Sequence, residues 1–486
     1  MSTVSNAIVL AIAIPLLGAF LLPVVARVAQ PLGTIWGLGT VVAAAVIAVT
    51  IAIEVAAGGA VMTAIGGFAP PLGIVLYADK LAAVFLIALV IAVLLFWPRG
   101  AAASTRSYTL MLVLLGGGSG LVLSGDLFNI YVFYEIVAVS SYGLVASDGS
   151  KASLGAAARY LILSAAGSAF ALLGIALVYA GAGTLNLADL ASVAPERLAG
   201  PLGLSAFLLI VIGFGVKAEL FPVNTWVPEV YATAPLQVTA LLAGIVSKLA
   251  MIVILRLLVL VFHSPEALGL LLVLGLLGVI AGELAAYRSG DLKRVFAYSS
   301  IAQLGLVAVA FAMPGEVGVA AGLALALHHL VVKPAFFVLA SRWTGAIGGL
   351  AGAAKSAPLA GLLFLLLALS IVGIPPFPGF WAKYLLVGGL AATGGAGYGL
   401  ALAVILAATV VEAAYLFRIA VVLYGAPGER APARFAFGDL ATGLFLGLIV
   451  IVATVTVIPL GDGLLATASE AANANLYVAQ TLSGGL

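Results

Sequence analysis

Apolar stretches of about 20 residues, the length a helix needs to cross a bilayer, recur along this chain from Ala7 to about Pro459. No other feature restricts the fold as strongly. In hydrocarbon every backbone polar group must be satisfied within its own segment, so such a chain folds as a bundle of helices. Cutting at charges, prolines and polar clusters gives fourteen expected spans: 5–27, 33–57, 79–98, 107–124, 126–147, 154–180, 203–227, 236–262, 267–288, 294–313, 317–342, 357–390, 398–424 and 439–461. The expected fold class is an all-α polytopic membrane protein. Composition agrees, since 64% of the 486 residues are hydrophobic and 8% charged, with a mean hydropathy of +1.29, values that exclude a soluble domain.

Other chemistry is excluded more simply. The chain has no cysteine, so disulfides and thiolate metal sites are absent, and its three histidines, His263, His328 and His329, are too few and scattered for a metal cage. No phosphate loop is visible, and the 58 glycines spread through the apolar runs suit close helix packing. The N-terminus lacks a basic region and a cleavage site, so the first run is expected to stay as a helix. Nothing points to nucleic acid or a cofactor.

Loop charges set an expected orientation. Connections after odd-numbered spans hold thirteen basic residues (Arg27, Arg99, Arg106, Lys151, Arg159, Arg288, Lys293, Arg294, Arg342, Lys355, Arg418, Arg430 and Arg434), whereas those after even spans hold two, Lys80 and Arg197. Basic loops stay cytoplasmic. An even span count with both termini outside, in the cytoplasmic (inner) membrane, is therefore expected.

Five basic residues remain inside spans: Lys217, Lys248, Arg256, Lys333 and Lys383, together with Glu135, Glu219, Glu283, Glu412 and the pair His328 and His329. Unpaired, each costs at least about 2.5–3.5 kcal/mol at bilayer depth. Arg256 either snorkels from near a helix end or is buried; any single group can be a structural ion pair. As a set they fit a row of proton-exchanging groups better, because burial shifts lysine and carboxylate affinities toward each other while a nearby opposite charge opposes that shift, so each member's affinity depends on its neighbour.

Prolines mark where that row bends. Pro222 and Pro228 follow Lys217 in span seven, and Pro375, Pro376 and Pro378 precede Lys383 in span twelve. Breaks of this kind persist at membrane depth only inside protein or beside water. Spans seven and twelve are five helices apart and cross in opposite senses, as expected of an inverted repeat of spans four to eight on nine to thirteen. The expected organisation is 1–106 for the first three helices, 107–262 and 263–424 for the repeats, and 425–486 for the last span and a short tail.

Six stretches carry a resemblance: SGDLFNIYVFYEI (124–136), FGVKAELFPVNTWVPEVYATAP (214–235), SKLAMIVILR (247–256), DLKRVFAYSSIAQLG (291–305), HHLVVKPAFFVLA (328–340) and GIPPFPGFWAKYLLV (373–387). Their order and spacing are similar to those of the antiporter-like proton-translocating subunits shared by respiratory complex I, membrane-bound hydrogenases and Mrp-type cation/proton antiporters. FAPPLGIVLYADKLAAVF (68–85) looks most like the D-type polypeptide of the Mrp antiporter. The resemblance implies that Glu135 and Lys217 are partners, that Lys248 is the central lysine, that His328 or His329 precedes a functional Lys333, and that Lys383 is the terminal site. It implies a subunit without a catalytic centre of its own, working beside other membrane subunits in the lipid bilayer and moving protons and Na+ or another monovalent cation. A proton-pumping subunit of a redox complex is the alternative; a stand-alone solute transporter or scaffold lacks a visible polar pocket. Glu219 and Glu412 depart from the pattern. Read as helical, Glu219 lies about 200° around span seven from Lys217; Glu412 can bind a cation, adjust Lys383 or pair with Arg418. The tail after Gly461 is too short for a long lateral helix.

Overall fold

A computed structural model describes residues 3–426 and 435–482; the expected loop charges Arg430 and Arg434 lie outside the described residues. Among the described residues, eleven helices are long and apolar enough to cross a membrane, or twelve if the bent pair Ile347–Ser356 and Pro358–Val372 is one span. Two shorter apolar helices, Lys80–Leu95 and Pro201–Gly215, fall at expected spans three and seven. Each of the fourteen expected spans thus has a helical counterpart. The protein is a helical, multi-span membrane protein.

Local chemistry explains where the helices begin and end. Asp79, Ser104, Asp126, Ser150 and Asp291 each accept a backbone N–H of the first turn, starting spans three, four, five, six and ten. Span six, Lys151–Ala182, stops at Gly183 in the left-handed region. Span seven is interrupted. Its first helix ends at Gly215, residues 216–226 form turns, and helix resumes over Val227–Thr233. Span twelve runs Pro358–Val372, breaks at 373–377, and resumes over Pro378–Thr393. Three long helices, a broken one and another long helix therefore follow in order twice, from Thr105 to Leu260 and from Pro265 to Leu423.

Two features were not anticipated. A short antiparallel hairpin, β1 (Val61–Ala64) on β2 (Val75–Ala78), precedes span three. The tail is also helical, over Val457–Ala471 and Ala474–Leu482.

The helices pack in two compact units. The first comprises Met1–Ala218, Ile245–Ala267 and Ser469–Leu486, and the second Glu219–Gly244 and Leu268–Ala468. Within the first, connections after even spans meet: Leu76 bridges Ser124, Asp126 bridges Asn186, and the Tyr77 hydroxyl donates to Gln480 at 2.5 Å. Within the second, the corresponding ends of odd spans meet: Asp291 bridges Ala346 in the connections after spans nine and eleven, and Arg418 near the end of span thirteen donates to the Tyr287 carbonyl near the end of span nine at 2.8 Å. Both groupings follow from strict alternation of the spans.

Arg256 does not snorkel. It is buried and donates to both Asp79 oxygens, at 3.0 and 2.7 Å, with Tyr77 and Tyr477 rings each 5.9 Å from its guanidinium carbon. This buried pair ties span eight, the cap of span three and the last helix together within the first unit. Burial holds the Tyr77 and Tyr477 phenols well above the ordinary tyrosine range.

Candidate functional site

In the first unit the helix of span seven ends just before Lys217, so the lysine lies in the break itself rather than on a helix beside it. Lys217 is 1% exposed. Its ammonium donates to Ser164 at 3.0 Å and sits 3.5 Å from the Tyr134 ring centroid, a cation–π arrangement that partly replaces lost hydration. The Tyr134 hydroxyl binds the Gly213 carbonyl at 2.7 Å, close to where the helix ends. Glu135 accepts from Ser168, and its charge acts on Lys217. Among the described residues no salt bridge joins the two directly. Ser164 and Ser168 stand four residues apart on span six, one above the other on a helical face. Each binds one member of the Glu135 and Lys217 pair. Lys248 is fully buried in span eight, directly after a five-residue π-helical turn at Leu242–Val246, and donates to Ser247 at 3.3 Å. Such turns are frequent at functional sites.

The second unit holds the larger cluster. Lys383 donates to Glu412 at 2.6 Å and to the Val372 carbonyl at 3.1 Å. The second bond has a local cause. The helical partner of the Val372 carbonyl would be the N–H of residue 376, and Pro376 has none. The break therefore creates the acceptor that Lys383 fills. Gly379, one turn before Lys383, allows this approach, because a Cβ there would lie 1.8 Å from the Ser370 carbonyl oxygen. Glu412 also accepts from Gln303 at 2.7 Å. Of the three roles open to Glu412, the structure brings it to Lys383; Arg418 turns to Tyr287 instead.

Lys333, fully buried in span eleven (Gly315–Ala340), donates to Ser299 of span ten (Leu292–Phe311) at 2.6 Å. His328 pairs with Ser370 at 2.8 Å, while His329 is buried. Glu283, a further carboxylate of the expected row, is also buried in this unit. Glu219 is fully buried and accepts from Tyr231. Its φ of 58° is left-handed, so the helical reading that set it 200° from Lys217 does not apply. Among the described residues no group of three or more His, Cys, Asp or Glu is arranged to hold a metal ion.

Sequence reading found the charged members and missed their neutral partners. Ser164, Ser168, Ser299, Ser370 and Gln303 are ordinary residues in apolar helices. The one available signal was the i, i+4 spacing of the two serines on span six.

Comparison with known proteins shows what the chain as a whole is similar to. A family model described as NADH:quinone oxidoreductase/Mrp antiporter, TM matches residues 124–411, more than half of the chain. The N-type polypeptide of an NADH-quinone oxidoreductase from Desulforudis audaxviator is 34% identical over 391 residues, covering 76% of this chain and 77% of that one. The D-type polypeptide of the Na+/H+ antiporter of Alkalihalophilus pseudofirmus is 32% identical over 361 residues, covering 71% and 73%. Among solved structures, a chain of the membrane-bound sulfane sulfur reductase, an archaeal respiratory membrane complex, superposes with a TM-score of 0.90 at 32% identity, covering 98% of this chain and 100% of that one.

Proposed function

The chain belongs to the NADH:quinone oxidoreductase/Mrp antiporter transmembrane family, and from that premise we propose that it is the proton-translocating subunit of a multisubunit monovalent cation/proton antiporter. The observation that carries this reading is the buried Lys383–Glu412 pair at the break of span twelve. A lysine with an adjacent carboxylate and a freed carbonyl is held where its charge can be switched by small movements of its partners. In the first unit Glu135, Lys217 and Lys248 do this work, with Ser164 and Ser168 as the groups that link carboxylate and ammonium. In the second, Lys333, Lys383, Glu412 and His328 or His329 do it. Protonation of one member changes the proton affinity of its neighbour, so charge moves stepwise. The chain works with other membrane subunits, in the cytoplasmic membrane with both termini outside.

Inverted membrane vesicles carrying the whole complex test this. Addition of Na+ to vesicles holding a pH gradient should dissipate it, and Lys217→Ala should prevent that at normal abundance. Parent-like exchange in the variant would refute the role of the lysine. A second reading, a proton-pumping subunit of a redox complex, is supported by the 34% identity to the oxidoreductase polypeptide and by the reductase superposition. It expects the purified complex to contain iron–sulfur subunits and to acidify vesicles on reduction, with no response to Na+.

A further inference from the structure

Glu219 departs from the family pattern, and the second unit supplies a use for it. A cavity of about 240 Å³ opens at the end of this unit, lined by Tyr231, Gln237, Thr239, Lys293, Arg342 and Asp439 among others. These residues come from the connections after spans seven and nine and from the adjoining ends of spans eight, eleven and fourteen, the side that the loop charges assign to the cytoplasm. A space of this size has room for water, and Gln237, Thr239, Lys293, Arg342 and Asp439 offer it polar partners.

Tyr231 is the link inward. It lines the cavity, its ring is held edge-on by Trp226 and Phe337 at centroid distances of 5.9 and 5.3 Å, and its hydroxyl donates to Glu219. Glu219 has no exposed surface. The Asn224 amide donates to its backbone carbonyl at 3.2 Å, securing the left-handed turn that aims the carboxylate. On the inner side Tyr231 packs on Phe337 of span eleven, one turn beyond Lys333 on the same helical face, and Ser299 anchors that lysine. Cavity, phenol and carboxylate thus succeed one another within one unit, and Lys333 lies on the helix against which the phenol packs.

We infer that Glu219 is the proton acceptor of an aqueous intake, loaded from the cavity through Tyr231 and discharging toward Lys333. A hydronium ion in the cavity gives its proton to the Tyr231 oxygen as the Tyr231 O–H proton passes to the carboxylate. Water and an intact phenol remain, and Glu219 is neutral. When the Lys333 amine takes that proton it becomes an ammonium and Glu219 a carboxylate again, ready to be reloaded.

This inference rests on the proton-translocating reading above, so its test includes variants that separate the two. Ion-driven pH change is measured in vesicles carrying the whole complex. Glu219→Gln keeps size and an acceptor for Tyr231 yet cannot carry a proton, and Glu219→Gly suits the left-handed backbone. Both should slow exchange at least about tenfold at normal abundance, and Tyr231→Phe should slow it less. Millimolar formate, a small weak acid able to occupy the vacated space, should speed Glu219→Gly and not Lys217→Ala. The chain is free of cysteine, so Thr239→Cys on the cavity wall should react with a small water-soluble thiol reagent from the cytoplasmic side.

Parent-like exchange in Glu219→Gln or Glu219→Gly, with Lys217→Ala inactive, overturns the intake and leaves the broader reading standing. If Lys217→Ala also exchanges normally, the broader reading fails. Slow exchange in Glu219→Gly without formate rescue assigns Glu219 a structural role and overturns the inference.

Discussion

Removing the charge of Lys383 while nearly keeping its length, as in Lys383→Met, should destabilise the protein more than removing Lys383 and Glu412 together. At their separation of 2.6 Å, two unit charges attract by about 6 kcal/mol at an effective dielectric of about 20. Desolvating the two ions costs several kcal/mol each, so the pair as a whole contributes little net stability. The single variants differ. Lys383→Met leaves the Glu412 carboxylate buried against the Gln303 amide, and Glu412→Leu leaves an ammonium against the Val372 carbonyl. Each uncompensated charge should cost about 3–5 kcal/mol, while Lys383→Met with Glu412→Leu should lie near the parent. The implied coupling is about 6 kcal/mol or more, the order of the attraction itself and well above what independent sites show. Thermal denaturation of the detergent-solubilised complex, followed by fluorescence-detected size exclusion, ranks the four proteins. Transport should be lost in all three variants. A double variant as unstable as the sum of the singles would refute the pairing and return Lys383 to the status of an independent charge.

Three further outcomes are expected. Lys383→Arg should assemble normally yet stop ion-driven pH change in vesicles, because arginine holds its proton too firmly to take part in exchange; Lys383→Glu, which sets a second carboxylate against Glu412, should regain activity when combined with Glu412→Lys, and failure of that swap at normal abundance would argue against a switchable pair. Ser164→Ala and Ser168→Ala should each slow transport while leaving abundance close to that of the parent, since each serine binds one of Lys217 and Glu135; unchanged rates would mean that the pair communicates without them. In membranes of the cysteine-free chain, Glu196→Cys should be labelled by an impermeant reagent from outside and Lys355→Cys only from the cytoplasm, and the reverse pattern would invert the orientation of the intake.

Much of the architecture was legible because its causes are local. Apolarity over one bilayer thickness produces a span wherever it occurs, proline interrupts a helix whatever packs against it, and aspartate or serine caps a first turn through its own backbone. The fourteen expected spans, the existence of breaks near Lys217 and before Lys383, and the buried charges follow from those rules. The partners of the charges do not. Lys383 meets Glu412 across 29 residues, Lys217 meets Ser164 across 53, and Arg256 meets Asp79 across 177. Nothing in helical periodicity says which faces will touch at such separations. Glu219 shows the same limit at short range, since its place on an ideal helix meant nothing once the backbone turned left-handed. The tail, short in sequence, proved to be helix and reaches back to Tyr77 through Gln480. The chain alone therefore determined how many charges had to be buried and roughly at what depth. Tertiary packing decided which neutral hydroxyls, amides and carbonyls would meet them, because a charge out of water takes whatever polar group folding brings within reach.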